Sequence, residues 1–185
     1  MDTSIPFAGR EYLFWLTLLV WARGMDFLST WIATPRLVLE GNPIARWLGW
    51  QWGAVANLGL CLWLAQWPVT AIAVGTASVL VAARNFQSAW LMRSLGEEAY
   101  RDWHVRRILA APLPLYLFCL AGNTLLTAVV GATLVACSST DQYLLVVPFG
   151  IGLGVLAYAA AVILYSLLSF WRIRRNRRNH IPESL

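Results

Sequence analysis

The chain is written in long apolar runs separated by short polar ones. Five runs supply the ~20 mostly apolar residues a helix needs to cross a bilayer. They are Leu13–Ala33, Ile44–Gln66, Val69–Met92, Leu113–Ala136 and Tyr143–Trp171. The pattern predicts an all-α fold, a polytopic transmembrane helical bundle of five spans, forming a single domain over residues 1–171 with a basic tail over 172–185. The second run opens on IARWLGWQW, a Trp-rich stretch that also suits the membrane interface before the chain turns inward.

The first run breaks its own pattern. Arg23 stands near its middle and Asp26 one turn on, with Thr30 a further turn along. An ionised side chain at mid-bilayer costs at least ~2.5–3.5 kcal/mol. Spacings of three and four put these residues within an arc of roughly 60°, at about 100° per residue. Arg23 and Asp26 are thus placed to pair, and the arc is expected to face other helices or a wet cavity. The third run carries Arg84 and Asn85 about two-thirds of the way to its end, followed by Gln87 and Ser88. Arg84 has two routes, snorkelling to the headgroups or turning inward to meet Asp26. Small and polar residues recur every four positions elsewhere. Gly49, Gly53, Asn57 and Cys61 do so in the second run, Asn123, Thr127 and Gly131 in the fourth, and Gly150 and Gly154 with Ala157 and Ala161 in the fifth. Such ridges allow close helix approach, with Asn as a hydrogen-bonding group within them.

Composition agrees with the runs. Hydrophobic residues make up 59% of the chain, charged residues only 12%, and the mean hydropathy is +0.60. A soluble domain carries about 25% charged residues. All 14 basic residues are Arg, which never deprotonates. Their placement sets the threading. Arg36 and Arg46 follow the first run; Arg93, Arg101, Arg106 and Arg107 follow the third; Arg172, Arg174, Arg175, Arg177 and Arg178 follow the fifth. With five spans all of these share one side, and the other side holds Arg10. By the positive-inside rule the Arg-rich side is cytoplasmic, with the N-terminus outside and the tail inside. Trp31, Trp90 and Trp171 mark the cytoplasmic ends of spans one, three and five, as interfacial indole does.

Several chemistries are not indicated. Cys61, Cys119 and Cys137 are odd in number and match no metal spacing, and neither histidine has a partner at ligand spacing, so no cofactor and no metal are expected. The opening MDTSIPFAGRE lacks the basic n-region and cleavage site of a signal peptide, so the first span is expected in the mature protein. In the loop GEEAYRDWHVRR, Glu97 with Arg101 and Asp102 with Arg106 stand at i,i+4, predicting a short surface helix with His104 solvated. The tail WRIRRNRRNH predicts anionic lipid headgroups as partners, each nearby Arg contributing about 1 kcal/mol. No nucleic-acid fold accompanies it.

After the first span comes Glu40-Gly41-Asn42-Pro43, in which Asn42 suits a helix N-cap and Pro43 the first helical position. Glu40 precedes that positive helix end, where a carboxylate is favoured. Asp26, Thr30, Glu40, Asn42 and Pro43 together resemble small uncharacterised prokaryotic multi-pass membrane proteins, a family that carries an Asp-x-x-x-Thr span followed by Glu-x-Asn-Pro. The resemblance covers about 40 of the 185 residues. It implies a multi-pass inner-membrane protein and brings no established activity.

Three functions fit the residues. In the first, Arg23, Asp26, Thr30, Asn57, Arg84, Asn85 and Asn123, with Glu40 and Asn42 at the mouth, form a polar intramembrane pocket. Two Arg beside one Asp make it positive, which suits a small transporter or a lipid- or anion-binding protein. In the second, Arg23 pairs with Asp26, the Asn side chains bridge helices, and the protein is a structural or accessory subunit, as a homo-oligomer or with a partner membrane subunit. In the third, Asp26 and Glu40 serve an intramembrane enzyme, holding a divalent cation or acting as an acid–base pair; no Ser/His/Asp set or HExxH supports it.

Overall fold

The computed structural model describes the backbone of residues 4–40, 42–138 and 143–178, and side-chain surroundings for these except 143–145 and 176–178. The described residues form six helices and no strand. They are α1 (Arg10–Ala33), α2 (Pro43–Leu64), α3 (Pro68–Leu95), α4 (Glu97–Ala110), α5 (Leu113–Ala136) and α6 (Tyr143–Arg178). The all-α expectation is met, and the predicted surface helix is α4.

Proline and glycine set most of the boundaries. Pro43, Pro68 and Pro114 sit in the first turns of α2, α3 and α5, where a missing N–H costs nothing. The Asn42 side chain caps α2 by accepting the Ile44 N–H at 3.0 Å, as expected. Gly96, at φ 81°, ends α3 and turns the chain directly into α4. Gly41 of the Glu-Gly-Asn-Pro motif lies outside the described residues, as do positions 179–185 of the tail.

One expectation about the spans is corrected. Three helices, not five, are long and apolar enough to cross a membrane by length and composition: α3, α5 and the Val146–Arg175 part of α6. In α1 the ionic pair Arg23 and Asp26 dilutes the apolar run. In α2 the cause is Arg46, Gln51 and Asn57, together with a break at Gly49. There φ 65° and ψ −170° interrupt the helix, a backbone conformation essentially confined to glycine. The Trp-rich opening of α2 is thus set off from its continuation. The basic segment after Trp171 continues α6 as far as Arg178. Its 36 residues reach about 54 Å at 1.5 Å per residue, well beyond the ~30 Å of hydrocarbon.

The helices also form a row rather than a closed bundle. The order across it is α2, α1, α3, α6, α5, and among the described residues α1 touches neither α5 nor α6. Cross-contacts fix the directions. Arg23 meets Ser78 and Thr34 meets Glu97, so α1 and α3 are parallel. Tyr12 Oη donates to Leu62 O at 2.9 Å and Arg23 meets Asn57, so α2 runs the other way. Gly150 lies on Ile72 and Gly154 on Thr76, making α6 parallel to α3; Gly131 lies on Gly152 and Tyr116 stacks on Phe170, making α5 antiparallel. The Arg-bearing ends therefore gather at one end of the row.

Packing relies on small residues, as it does where lipid gives no hydrophobic drive between helices. The buried face of α3 is Ala71, Ile72, Gly75, Ser78, Ala82 and Ala89. On α6, Gly150 and Gly154 take α3 and Gly152 takes α5 so closely that an added Cβ at any of them would lie within 2.8 Å of a neighbour. Of the predicted ridge on that helix, Gly150 and Gly154 serve, while Ala157 is exposed. Large apolar side chains point outward instead, among them Phe14, Trp21, Phe118, Leu126 and Val129. That inside-out distribution suits a lipid surround. A tighter cluster of Tyr12, Trp15, Leu19, Cys61, Leu64 and Ile72 closes the end opposite the Arg residues.

Candidate functional site

The site sits where α1 is flanked by α2 and α3. Arg23 reaches sideways from α1 to both neighbours. Its Nε donates to Asn57 Oδ1 at 2.9 Å and its Nη2 to the same oxygen. Its Nη1 donates to Asp26 Oδ2 and to Ser78 Oγ, both at 3.2 Å. Asn57 is itself held in place, its amide donating to Gly53 O at 2.7 Å one turn back. The expected Arg23–Asp26 pair is thus present, with side chains 26% and 19% exposed.

One turn toward the Arg-rich end lies a second tier. Ser29 and Thr30 hydroxyls donate to Asp26 O at 2.8 and 2.9 Å. Asn85 of α3 then donates to both hydroxyl oxygens, at 3.3 and 3.2 Å. Thr30 and Asn85 therefore bridge α1 and α3 as a neutral pair of hydrogen bonds. Ser29 is fully buried in this tier. Among the described residues no buried side-chain polar atom in the protein lacks a partner.

Two expected members are elsewhere. Arg84 is exposed on α3 and its charge acts on Tyr116, whose hydroxyl bonds Ser166 of α6. It makes no bond to Asp26, whose salt bridge is with Arg23. Asn123 is exposed on α5, which makes no contact with α1. The row arrangement explains both, since a closed bundle would have brought these positions together. Glu40, by contrast, lies near enough to couple electrostatically with Asp26. Its Oε1 accepts the Asn42 N–H at 2.8 Å. The formal charge around Asp26 is then Arg23 against two carboxylates. Arg84 does not join Arg23 beside Asp26, so the second cation of the expected pocket stands apart from the first. No group of three or more metal-capable side chains occurs among the described residues.

The α2 ridge is partly realised. Gly53 lies under the Phe27 ring, where a Cβ would stand 3.6 Å from it, and Cys61 is buried at 2% exposure. Gly49 belongs to the break instead. The Phe27 ring also meets Trp50 edge-on at 5.0 Å, and Trp50 Nε1 donates to Pro35 O at 2.8 Å.

The most connected group outside the row was not foreseen. Glu97, the first residue of α4, accepts from Thr34 Oγ1 at 2.6 Å, Arg36 N at 3.0 Å and Val38 N at 3.2 Å. It pins the α1–α2 loop, in which Leu37 takes a positive φ of 56°. Burial pushes the Glu97 carboxyl up, but the Thr34 hydroxyl, the two N–H groups and the Arg36 charge outweigh it and hold it below its ordinary value. The predicted Glu97–Arg101 and Asp102–Arg106 pairs are replaced by this latch and by an exposed Arg101–Asp102 contact at 3.5 Å. Since 59 to 63 residues separate Glu97 from its partners, no local signal announces them. His104 is exposed, as expected, and stacks on Tyr100.

Comparison of the chain with family models, with curated proteins and with solved structures finds no match in any of the three.

Proposed function

We propose that the chain is a multi-pass protein of the prokaryotic inner membrane in which the Arg23 cluster is an interhelical clasp, and that it serves as a structural or accessory membrane subunit. The observation that carries this reading is the guanidinium of Arg23. It is bonded by its own helix through Asp26, by α2 through Asn57 and by α3 through Ser78. A group so fully engaged by its own chain has little left to offer a ligand. The alternating helix directions support five crossings, with α1 and α2 held in the membrane by their packing on α3. The Arg-rich end is then cytoplasmic by the positive-inside rule, and its Arg residues meet anionic headgroups. The likeness of Asp26, Thr30, Glu40, Asn42 and Pro43 to the family with the Glu-x-Asn-Pro motif supports the same placement.

A second reading, a small transporter or lipid-binding protein, has one observation in its favour: Arg23 and Asp26 retain 26% and 19% exposure. A double-mutant cycle decides between the two. Arg23→Leu, Asn57→Leu and the double variant are unfolded with SDS in mixed micelles. The clasp predicts a coupling of about 1–3 kcal/mol, the double variant being more stable than the sum of the singles implies. Additivity to within about 0.5 kcal/mol removes the clasp. Reporter tags finding both termini on one side of the membrane remove the threading.

A further inference from the structure

A cleft of about 640 Å³ opens where α3 turns into α4 beneath the α1–α2 loop. Its shape follows from two features already described. Gly96 turns α4 sharply away from α3, and Glu97 straps the loop above the gap. Its floor is apolar, with Met92, Leu95 and Val38. Its lining is charged with both signs: Arg36 and Arg93 on one hand, Glu98 and Asp102 on the other, with Glu97 already engaged by the loop. The side chains of Arg36, Arg93 and Glu98 are exposed and make no hydrogen bond or ion pair among the described residues, although the Arg36 backbone N–H is held by Glu97. Asp102 has its contact with Arg101, with both side chains more than half exposed.

Depth is given by tryptophan. Trp31 and Trp90 are 51% and 69% exposed at the Arg-rich ends of α1 and α3. Indole prefers the headgroup boundary. Arg36 and Arg93 follow them by five and three residues. The cleft therefore stands at the depth of lipid phosphates.

We propose that this cleft is a binding site for a zwitterionic phospholipid headgroup, one bearing a phosphodiester and a primary ammonium. Arg36 and Arg93 take the phosphate, since planar guanidinium matches its oxygens in pairs. Glu98 and Asp102 take the ammonium, and the Met92–Leu95 floor takes the first methylenes of a chain. A purely anionic lipid leaves the two carboxylates facing its headgroup unpaired, so the cleft discriminates by charge pattern rather than by net charge. The proposal rests on the membrane placement above but not on the Arg23 clasp.

The test uses the full chain in nanodiscs of phosphatidylcholine doped with either phosphatidylethanolamine or phosphatidylglycerol, followed by native mass spectrometry of bound lipid. Retained phosphatidylethanolamine is expected to exceed phosphatidylglycerol at least 10-fold. Arg36→Gln with Arg93→Gln, both at the surface and harmless to folding, is expected to abolish that excess. Glu98→Lys is expected to move the preference toward phosphatidylglycerol, an inversion that a merely structural role does not produce. Excess phosphatidylethanolamine that survives the double Arg variant overturns the site. So does equal retention of the two lipids by the wild type, or displacement by millimolar inorganic phosphate, which would mark a plain anion site. A chain that fails to incorporate into nanodiscs overturns the membrane placement, and the site with it.

Discussion

Replacing Asn57 with Leu should loosen α2 without unfolding the rest. Asn57 Oδ1 is the acceptor for two N–H groups of Arg23, and Leu offers a similar volume with no acceptor. A hydrogen bond to a charged group is worth ~1.5–3 kcal/mol, and stranding a fully buried charge costs more. Arg23 keeps Asp26 and Ser78, and a quarter of its side chain is exposed, so water replaces part of what is lost. The expected cost is near the lower bound, about 2 kcal/mol. What remains on α2 is the Tyr12–Leu62 bond, the Phe27–Gly53 and Phe27–Trp50 contacts and the Trp50–Pro35 bond. Cys61 reports on that loss. It lies one turn from Asn57, 2% exposed, and becomes reachable only when α2 moves off α1. With Cys119 and Cys137 changed to Ser, a membrane-permeant thiol reagent should label Cys61 about 30-fold faster in Asn57→Leu, because local opening populations scale with the opening free energy. Labelling within twofold of the wild type would refute the idea that Arg23 tethers α2.

Three further outcomes follow from the geometry. Gly154→Ala places a methyl 2.5 Å from Ala73 O and 2.6 Å from Thr76 Cβ, whereas Gly122→Ala meets nothing within 4 Å. Overpacking should make the former less stable by about 1–3 kcal/mol in SDS titration, and equal stability would show that α3 and α6 are not so close. Glu97 has a lowered pKa, so its stabilising contribution is complete above the ordinary glutamate range and is lost as pH falls through the lowered value. The thermal stability gap between wild type and Glu97→Gln should therefore be widest near neutrality and close toward strongly acid pH, and a gap constant with pH would count against the latch. Arg84→Gln should leave Cys61 labelling unchanged, because Arg84 faces Tyr116 rather than the Arg23 cluster; a rise like that of Asn57→Leu would place it in the cluster after all.

The sequence disclosed what is local and periodic. Helix positions follow from apolar runs and from Pro and Gly punctuation, and the Asn42 cap and the Arg23–Asp26 pair follow from spacing along one helix. Partner helices are another matter. Asn57 and Asn123 look alike as single polar residues in apolar runs, yet one receives Arg23 and the other faces outward. Only the lateral order of the helices separates them, and hydropathy carries no term for that order. For Arg84 the sequence left two routes open for the same reason, and the exposed position it takes on α3 does not meet Asp26. Glu97 was read with its neighbours in sequence because helical spacing offered Arg101, while the loop amides that claimed it were 59 to 61 residues away.

Gly49 leaves α2 in two unequal pieces, and the lengths matter. Unbroken, its 22 residues would measure about 33 Å, enough to traverse the oily interior from face to face. With the elbow in place, the stretch from residue 50 to Leu64 reaches only about 22 Å. A single hydrogen in place of a methyl group thus permits the bend at the foot of this crossing. Alanine at position 49 would remove the freedom that holds the bend and favour the longer rod.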